Sequence, residues 1–82
     1  MPAHPISYTD NALVRERTRN AKLTQTQVAV KLGVTQILVS RWENTGWVKK
    51  ENARKLEKLF VPLTPIFDWH TVDKQGRVKI LP

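Results

Sequence analysis

Apolar positions fall into two periods along this chain. From Leu13 to Phe60 they recur at spacings of three and four, the helical period. From Ile66 to Leu81 they alternate with polar residues, the strand period. The helical part breaks into four segments. The first runs from Asp10 to Ala21, with Ser7, Thr9 and Asp10 competing to cap it. Its apolar stripe is Leu13, Val14 and Ala21 with Thr18 beside them, and its other face is crowded with Arg15, Arg17, Arg19 and then Lys22. Leu23 anchors the chain before the second segment. Thr24 is an N-cap residue, and Gln27 three positions on completes a capping box. Val28, Ala29 and Leu32 point inward, and Gly33 suits the left-handed position that ends a helix. Thr35 caps the third segment, whose inner positions are Val39 and Trp42. Thr45-Gly46 breaks it. Trp47 and Val48 then pack onto the core from a loop. A fourth helix starts at Lys49 and Lys50, runs to about Val61 along Ala53, Leu56, Leu59 and Phe60, and stops at Pro62.

Beyond Pro62 the period changes. Phe67, Trp69 and Thr71 share one face, Asp68 and His70 the other. Asp73-Lys74-Gln75-Gly76 is a turn signal, and Val78 and Ile80 alternate with Arg77 and Lys79. A four-residue connection sets Thr71 opposite Val78 and Trp69 opposite Ile80, which predicts a β-hairpin. The alternative is a short fifth helix capped by Thr64 with Pro65 in its first turn, followed by a tail. The chain thus divides into a flexible arm over 1–9 (Pro2, His4 and Pro5 within it), a helical domain over 10–61, and a C-terminal hairpin over 62–82.

The third segment carries the chemistry. On a wheel of about 100° per residue, Val39 and Trp42 face inward. Ile37, Ser40, Arg41 and Asn44 occupy the opposite face, with Gln36 and Leu38 on the flanks. Arg reads guanine in a major groove, Gln and Asn read adenine, and Ile meets a thymine methyl. Charge reinforces this. The chain holds 14 Lys+Arg against 7 Asp+Glu, a formal +7, which favours a polyanionic partner, nucleic acid before an acidic membrane surface. With no cysteine there is neither a disulfide nor a thiolate metal site. No apolar run approaches the ~18 residues of a membrane span. The absence of a signal-peptide pattern leads us to expect a cytosolic protein. His4 and His70 are too far apart in sequence to suggest a metal site and have no paired carboxylate or nucleophile, so no enzyme activity and no cofactor are expected.

The run Leu23-Thr24-Gln25, Val28-Ala29, Leu32-Gly33-Val34-Thr35-Gln36, Val39-Ser40, Trp42-Glu43 resembles the Cro/C1-type helix-turn-helix family of phage and bacterial repressors, over about half the chain. The resemblance implies a mainly α, four-helix, lambda-repressor-like domain, here followed by the hairpin. It implies that Gln36, Ile37, Ser40 and Arg41 read bases. It also implies that Gln25 and Asn44 hold the phosphate backbone, with Gln36 bracing Gln25, and that the protein works in a bacterial host cytoplasm, associated with the nucleoid; Thr24 and Lys49 are expected on phosphates beside them. Many relatives pair a first-helix arginine with the position of Glu43. Here Thr18 fills that slot between Arg17 and Arg19, so either a neighbouring arginine serves or Glu43 is satisfied otherwise. The hairpin resembles that of lambda Cro, which pairs subunits. Phe67, Trp69, Val78 and Ile80 are accordingly expected at a homodimer interface. The expected function is sequence-specific repression from a near-palindromic double-stranded operator, with no small-molecule ligand. The alternatives are an antitoxin whose segment from Ile66 to Leu81 binds a toxin, or a controller of a restriction-modification operon.

Overall fold

The computed structural model describes residues 10–82. The expected arm over 1–9 and the capping candidates Ser7 and Thr9 lie outside those residues. Asn11 is the cap that forms. Its side-chain carbonyl accepts the Val14 N–H at 2.9 Å and starts α1 (Ala12–Arg15). The helix continues without a break as a π-helical turn over Glu16–Asn20, where the Ala21 N–H reaches back to the Glu16 carbonyl at 2.9 Å. The inner face is Leu13 and Glu16, both buried, with Arg17 half-buried beside them, whereas Thr18 is exposed. The stripe of Leu13, Val14, Thr18 and Ala21 is therefore rotated from the real one. Glu16 and Arg17 are polar residues with internal partners, and a hydrophobic wheel assigns such residues outward. The Asn20 amide donates to Glu16 at 2.8 Å and satisfies it.

The next two helices follow the expected chemistry. Thr24 and Gln27 close the capping box of α2 (Gln25–Leu32), with the Gln27 N–H donating to the Thr24 hydroxyl at 3.1 Å and the Thr24 N–H to the Gln27 side chain at 2.8 Å. Gly33 turns the chain at φ +74°, a conformation a Cβ disfavours. The Thr35 hydroxyl then accepts the Leu38 N–H at 3.2 Å to start α3 (Gln36–Thr45). Val39 and Trp42 are buried as expected, and so is Glu43.

Trp47 and Val48, expected in a loop, form a strand, β1 (Trp47–Lys49), directly ahead of α4 (Lys50–Phe60). β2 (Phe67–Val72) and β3 (Arg77–Ile80) make the hairpin, and β1 joins it in the order β1-β3-β2, antiparallel throughout. No helix forms at Thr64-Pro65. The hairpin register differs from the expected one. Phe67, not Trp69, lies opposite Ile80, and Val72, not Thr71, lies opposite Val78. The shift comes from a bulge after Asp68. Its carboxylate accepts the His70 N–H at 3.0 Å and the Thr71 hydroxyl at 2.6 Å, gathering residues that regular alternation would have paired across the ladder.

The expected subunit interface is corrected by burial. Phe67, Val78 and Ile80 are at most 3% exposed and belong to the chain's own core, with Leu13, Trp42, Val48 and Leu56. Packing of α3 and α4 against β1, and of α4 against β3, covers the apolar sheet face that a lone hairpin would leave open. Trp69 is half-buried in the same chain. Its indole N–H donates to Glu57 at 3.2 Å, its ring meets Phe67 edge-on at 6.0 Å, and the Arg54 guanidinium lies 5.9 Å from the ring centre. The end of β3 also ties distant parts together. The Ile80 N–H donates to the Gly46 carbonyl at 2.8 Å, and the Ala12 N–H donates to Leu81 at 2.9 Å. The sheet is thus built into the helical domain, not appended to it.

Candidate nucleic-acid interface

α3 presents two chemically distinct sides. Val39, Trp42 and Glu43 are buried, whereas Gln36, Ile37, Arg41 and Asn44 are exposed and Ser40 is half-buried. Ile37 is 67% exposed, which places a branched apolar group in water on a helix with ample core positions behind it. Gln36, Ile37, Ser40, Arg41 and Asn44 line one shallow concave surface with Thr45. All four residues expected to read bases are therefore together, and Asn44 sits with them. The Asn44 amide donates to the Ser40 hydroxyl at 3.3 Å, so these two side chains present a joint polar edge.

A buried polar hub sets the first turn of this helix. Arg17 is the arginine that serves Glu43. Its Nε donates to one carboxylate oxygen at 2.6 Å and its Nη2 to the other at 3.0 Å, while Nη1 donates to the Leu23 carbonyl at 3.0 Å. Such a planar fork fixes both partners in direction as well as distance. The Asn11 amide holds the Glu43 backbone carbonyl at 2.9 Å. The Gln25 amide donates to Glu43 at 2.8 Å, and the Gln36 amide donates to the Gln25 side-chain carbonyl. A chain of hydrogen bonds thus runs from the core, through Glu43 and Gln25, to Gln36 at the surface.

The residues expected on phosphates divide. Thr24, Gln25 and Gln36 line a second open concavity with Arg17, Thr18 and Lys22, at the positive end of α2. The Thr24 hydroxyl is occupied by its cap, and the Gln25 side chain is committed to Glu43 and Gln36. Lys49 is exposed at the start of α4, on a third concavity that it shares with Arg41, Asn52, Gln75 and Arg77. Gln36 belongs to both the α2 and α3 surfaces and joins them into one face.

Sequence reasoning missed Asn11 as cap and clamp, and missed Gln75 and Asn52 beside Arg41. Asn11 had a readable signal, an Asn directly before the helical period. Gln75 had none, because its position depends on the pairing of β1 with β3. The turn carrying Gln75 is held by Asp73. Partial burial works to raise the Asp73 carboxyl, but the Arg77 N–H, the Arg77 guanidinium and the Gln75 N–H outweigh it and hold it below the usual carboxylate range. The Asp68 carboxyl is likewise lowered, first by the Thr71 hydroxyl and then by the His70 N–H.

Among the described residues no cluster of three or more His, Cys, Asp or Glu could hold a metal ion, and no helix is long and apolar enough to cross a membrane. A family model described as helix-turn-helix matches residues 14–60, from within α1 to the end of α4 and over more than half of the chain. No curated protein and no solved structure matches.

Proposed function

The chain belongs to the helix-turn-helix family of DNA-binding transcription regulators, and from that membership we propose that it is a Cro-type repressor. It binds a near-palindromic operator as two copies, which set their α3 helices in successive major grooves about 34 Å apart. Gln36, Ile37, Ser40 and Arg41 meet base edges. The α2 N-terminus, Asn44 and Lys49 position the helix on phosphates. Two copies would meet through surface other than Phe67, Val78 and Ile80, which the core consumes. Repression follows from occupying DNA that polymerase needs, and the protein works in the bacterial cytoplasm.

The observation that carries this reading is the outward face of α3. Its donors, acceptors and one apolar group line one surface together, and Gln36 in its first turn is braced by Gln25, itself held by Glu43. Pre-ordering these side chains lowers the entropy cost of docking. Duplexes selected from a random pool would define the operator and its half-site spacing. On that operator, Arg41→Ala is expected to cost about 1–3 kcal/mol and to relax preference at one base pair. Equal losses on operator and random DNA would remove Arg41 from base reading.

A further inference from the structure

We infer that the β2–β3 turn is a second DNA-backbone contact, in which Lys74 and Gln75 reach phosphates beside the groove occupied by α3. The inference rests on the DNA-binding reading above and adds an element that lies outside the helix-turn-helix segment. Pairing of β1 with β3 sets Lys49 opposite Arg77. The Lys50 N–H donates to the Gly76 carbonyl at 3.3 Å, which stitches the turn to the start of α4. A cleft of about 300 Å³ opens between this turn and α3. Arg41 lines it from one side, Gln75 and Arg77 from the other, and Lys49 and Asn52 lie between them.

The cleft suits a polyanion. No carboxylate lines it, whereas Arg41 and Lys49 do, together with Arg77, whose charge is offset by Asp73. Asp73, the nearest acid in the turn, is consumed by Arg77 at 2.6 Å and by the amides of Gln75 and Arg77. Lys50 and Lys74 are exposed nearby, and Glu51 is the one acidic residue in the first turn of α4. The turn is also held in shape. Gly76 adopts φ +77°, and its N–H closes onto the Asp73 carbonyl at 3.1 Å. A turn fixed in this way docks with little ordering cost. The cleft adjoins the base-reading residues through Arg41 itself, so a duplex seated on α3 brings its phosphate backbone along this edge.

The test compares Lys74→Ala/Gln75→Ala with Lys58→Ala in the full chain. Asp73 and Gly76, which shape the turn, are untouched. Lys58 is exposed near the far end of α4 and serves as the charge control. Binding to a random-sequence duplex and to a selected operator is measured across a salt series, with Arg41→Ala alongside. The double variant is expected to weaken binding to both duplexes equally and to reduce the slope of log affinity against log salt by about 0.9. Lys58→Ala leaves slope and affinity as in the wild type. A double variant that matches the wild type, or a Lys58→Ala loss of the same size, overturns the turn contact. In that event Arg41→Ala still reports on α3. If the wild-type chain binds neither duplex, the DNA-binding reading falls and takes this inference with it.

Discussion

The two-helix segment from Thr24 to Asn44 and the sheet from Trp47 to Ile80 are built by different rules. In α2 and α3 the decisive partners are close in sequence: Thr24 with Gln27, Thr35 with Leu38, and inward positions three or four apart. In the sheet they are remote. Val48 lies opposite Val78, Gly46 accepts from Ile80, and Phe67 lies opposite Ile80. The local segment carries the outward face of α3 that we propose reads DNA. The non-local sheet closes the core beneath it. The proposed DNA-reading surface, made of locally ordered helices, thus depends on a scaffold whose partners are remote in sequence.

Removing residues 63–82 is the strongest way to break that comparison. It strips Ile66, Phe67, Val78 and Ile80 from the twelve buried apolar residues of the described core. At about 1.5–3 kcal/mol each, the loss is roughly 6–12 kcal/mol, comparable to the ~5–15 kcal/mol that holds a whole domain together. The shortened chain is expected to lose its cooperative thermal transition by circular dichroism. A helical remnant that still melted cooperatively would show the two regions to be separable.

The next test addresses a long-range ion pair inside the helical region. The Arg17 and Glu43 side chains are only 13% and 5% exposed. Arg17→Ala leaves the Glu43 carboxylate buried without its cation, at an expected cost of about 3–5 kcal/mol in denaturant unfolding. Replacing both by apolar residues of similar volume is expected to recover much of that stability. It would not restore the brace on Gln25 and Gln36, so operator affinity should stay low while the fold recovers. Recovery of both together would mean that the hub serves stability alone.

Legibility followed the same division. The caps at Thr24 and Thr35, the Gly33 turn and the outward face of α3 were readable because the helical period and cap chemistry are written within a few residues. The face of α1 was misread because Glu16 and Arg17, though polar, point inward, and a wheel ranks residues by polarity without knowing their partners. The hairpin and its turn were readable from alternation and from Asp73 to Gly76. Its register was not, because the Asp68 bulge inserts residues that alternation cannot foresee. β1 was invisible for a plainer reason: three residues are too short for a periodic signal, and only β3 makes them a strand. The misplaced dimer interface followed from that omission, since a hairpin without β1 and α4 has an open apolar face.

A smaller effect is expected at the cap of α2. Thr24→Ala removes the acceptor for the Gln27 N–H and breaks the capping box, for a loss of about 1 kcal/mol. Thermal or denaturant unfolding would register it. A neutral result would mean that solvent replaces the hydroxyl at this exposed helix end.

The smallest effect lies in the sheet, at Asp73, and it tests whether the turn is as locally determined as the helix caps. The folded carboxyl is held below its ordinary value by the Arg77 and Gln75 amides and the Arg77 guanidinium, against the opposing pull of partial burial. Because the folded value is the lower one, the unfolded chain takes up the proton first as acid is added. The stabilisation is therefore complete above the unfolded value of about 3.9 and fades as pH falls through the folded one. A carbon-detected titration of the Asp73 carboxyl should give a midpoint below that of the denatured chain. The Gln75 and Arg77 amides should exchange faster over the same interval. A midpoint at or above the denatured value would mean that Asp73 does not organise the turn, leaving strand pairing to hold Gln75 in the cleft beside α3.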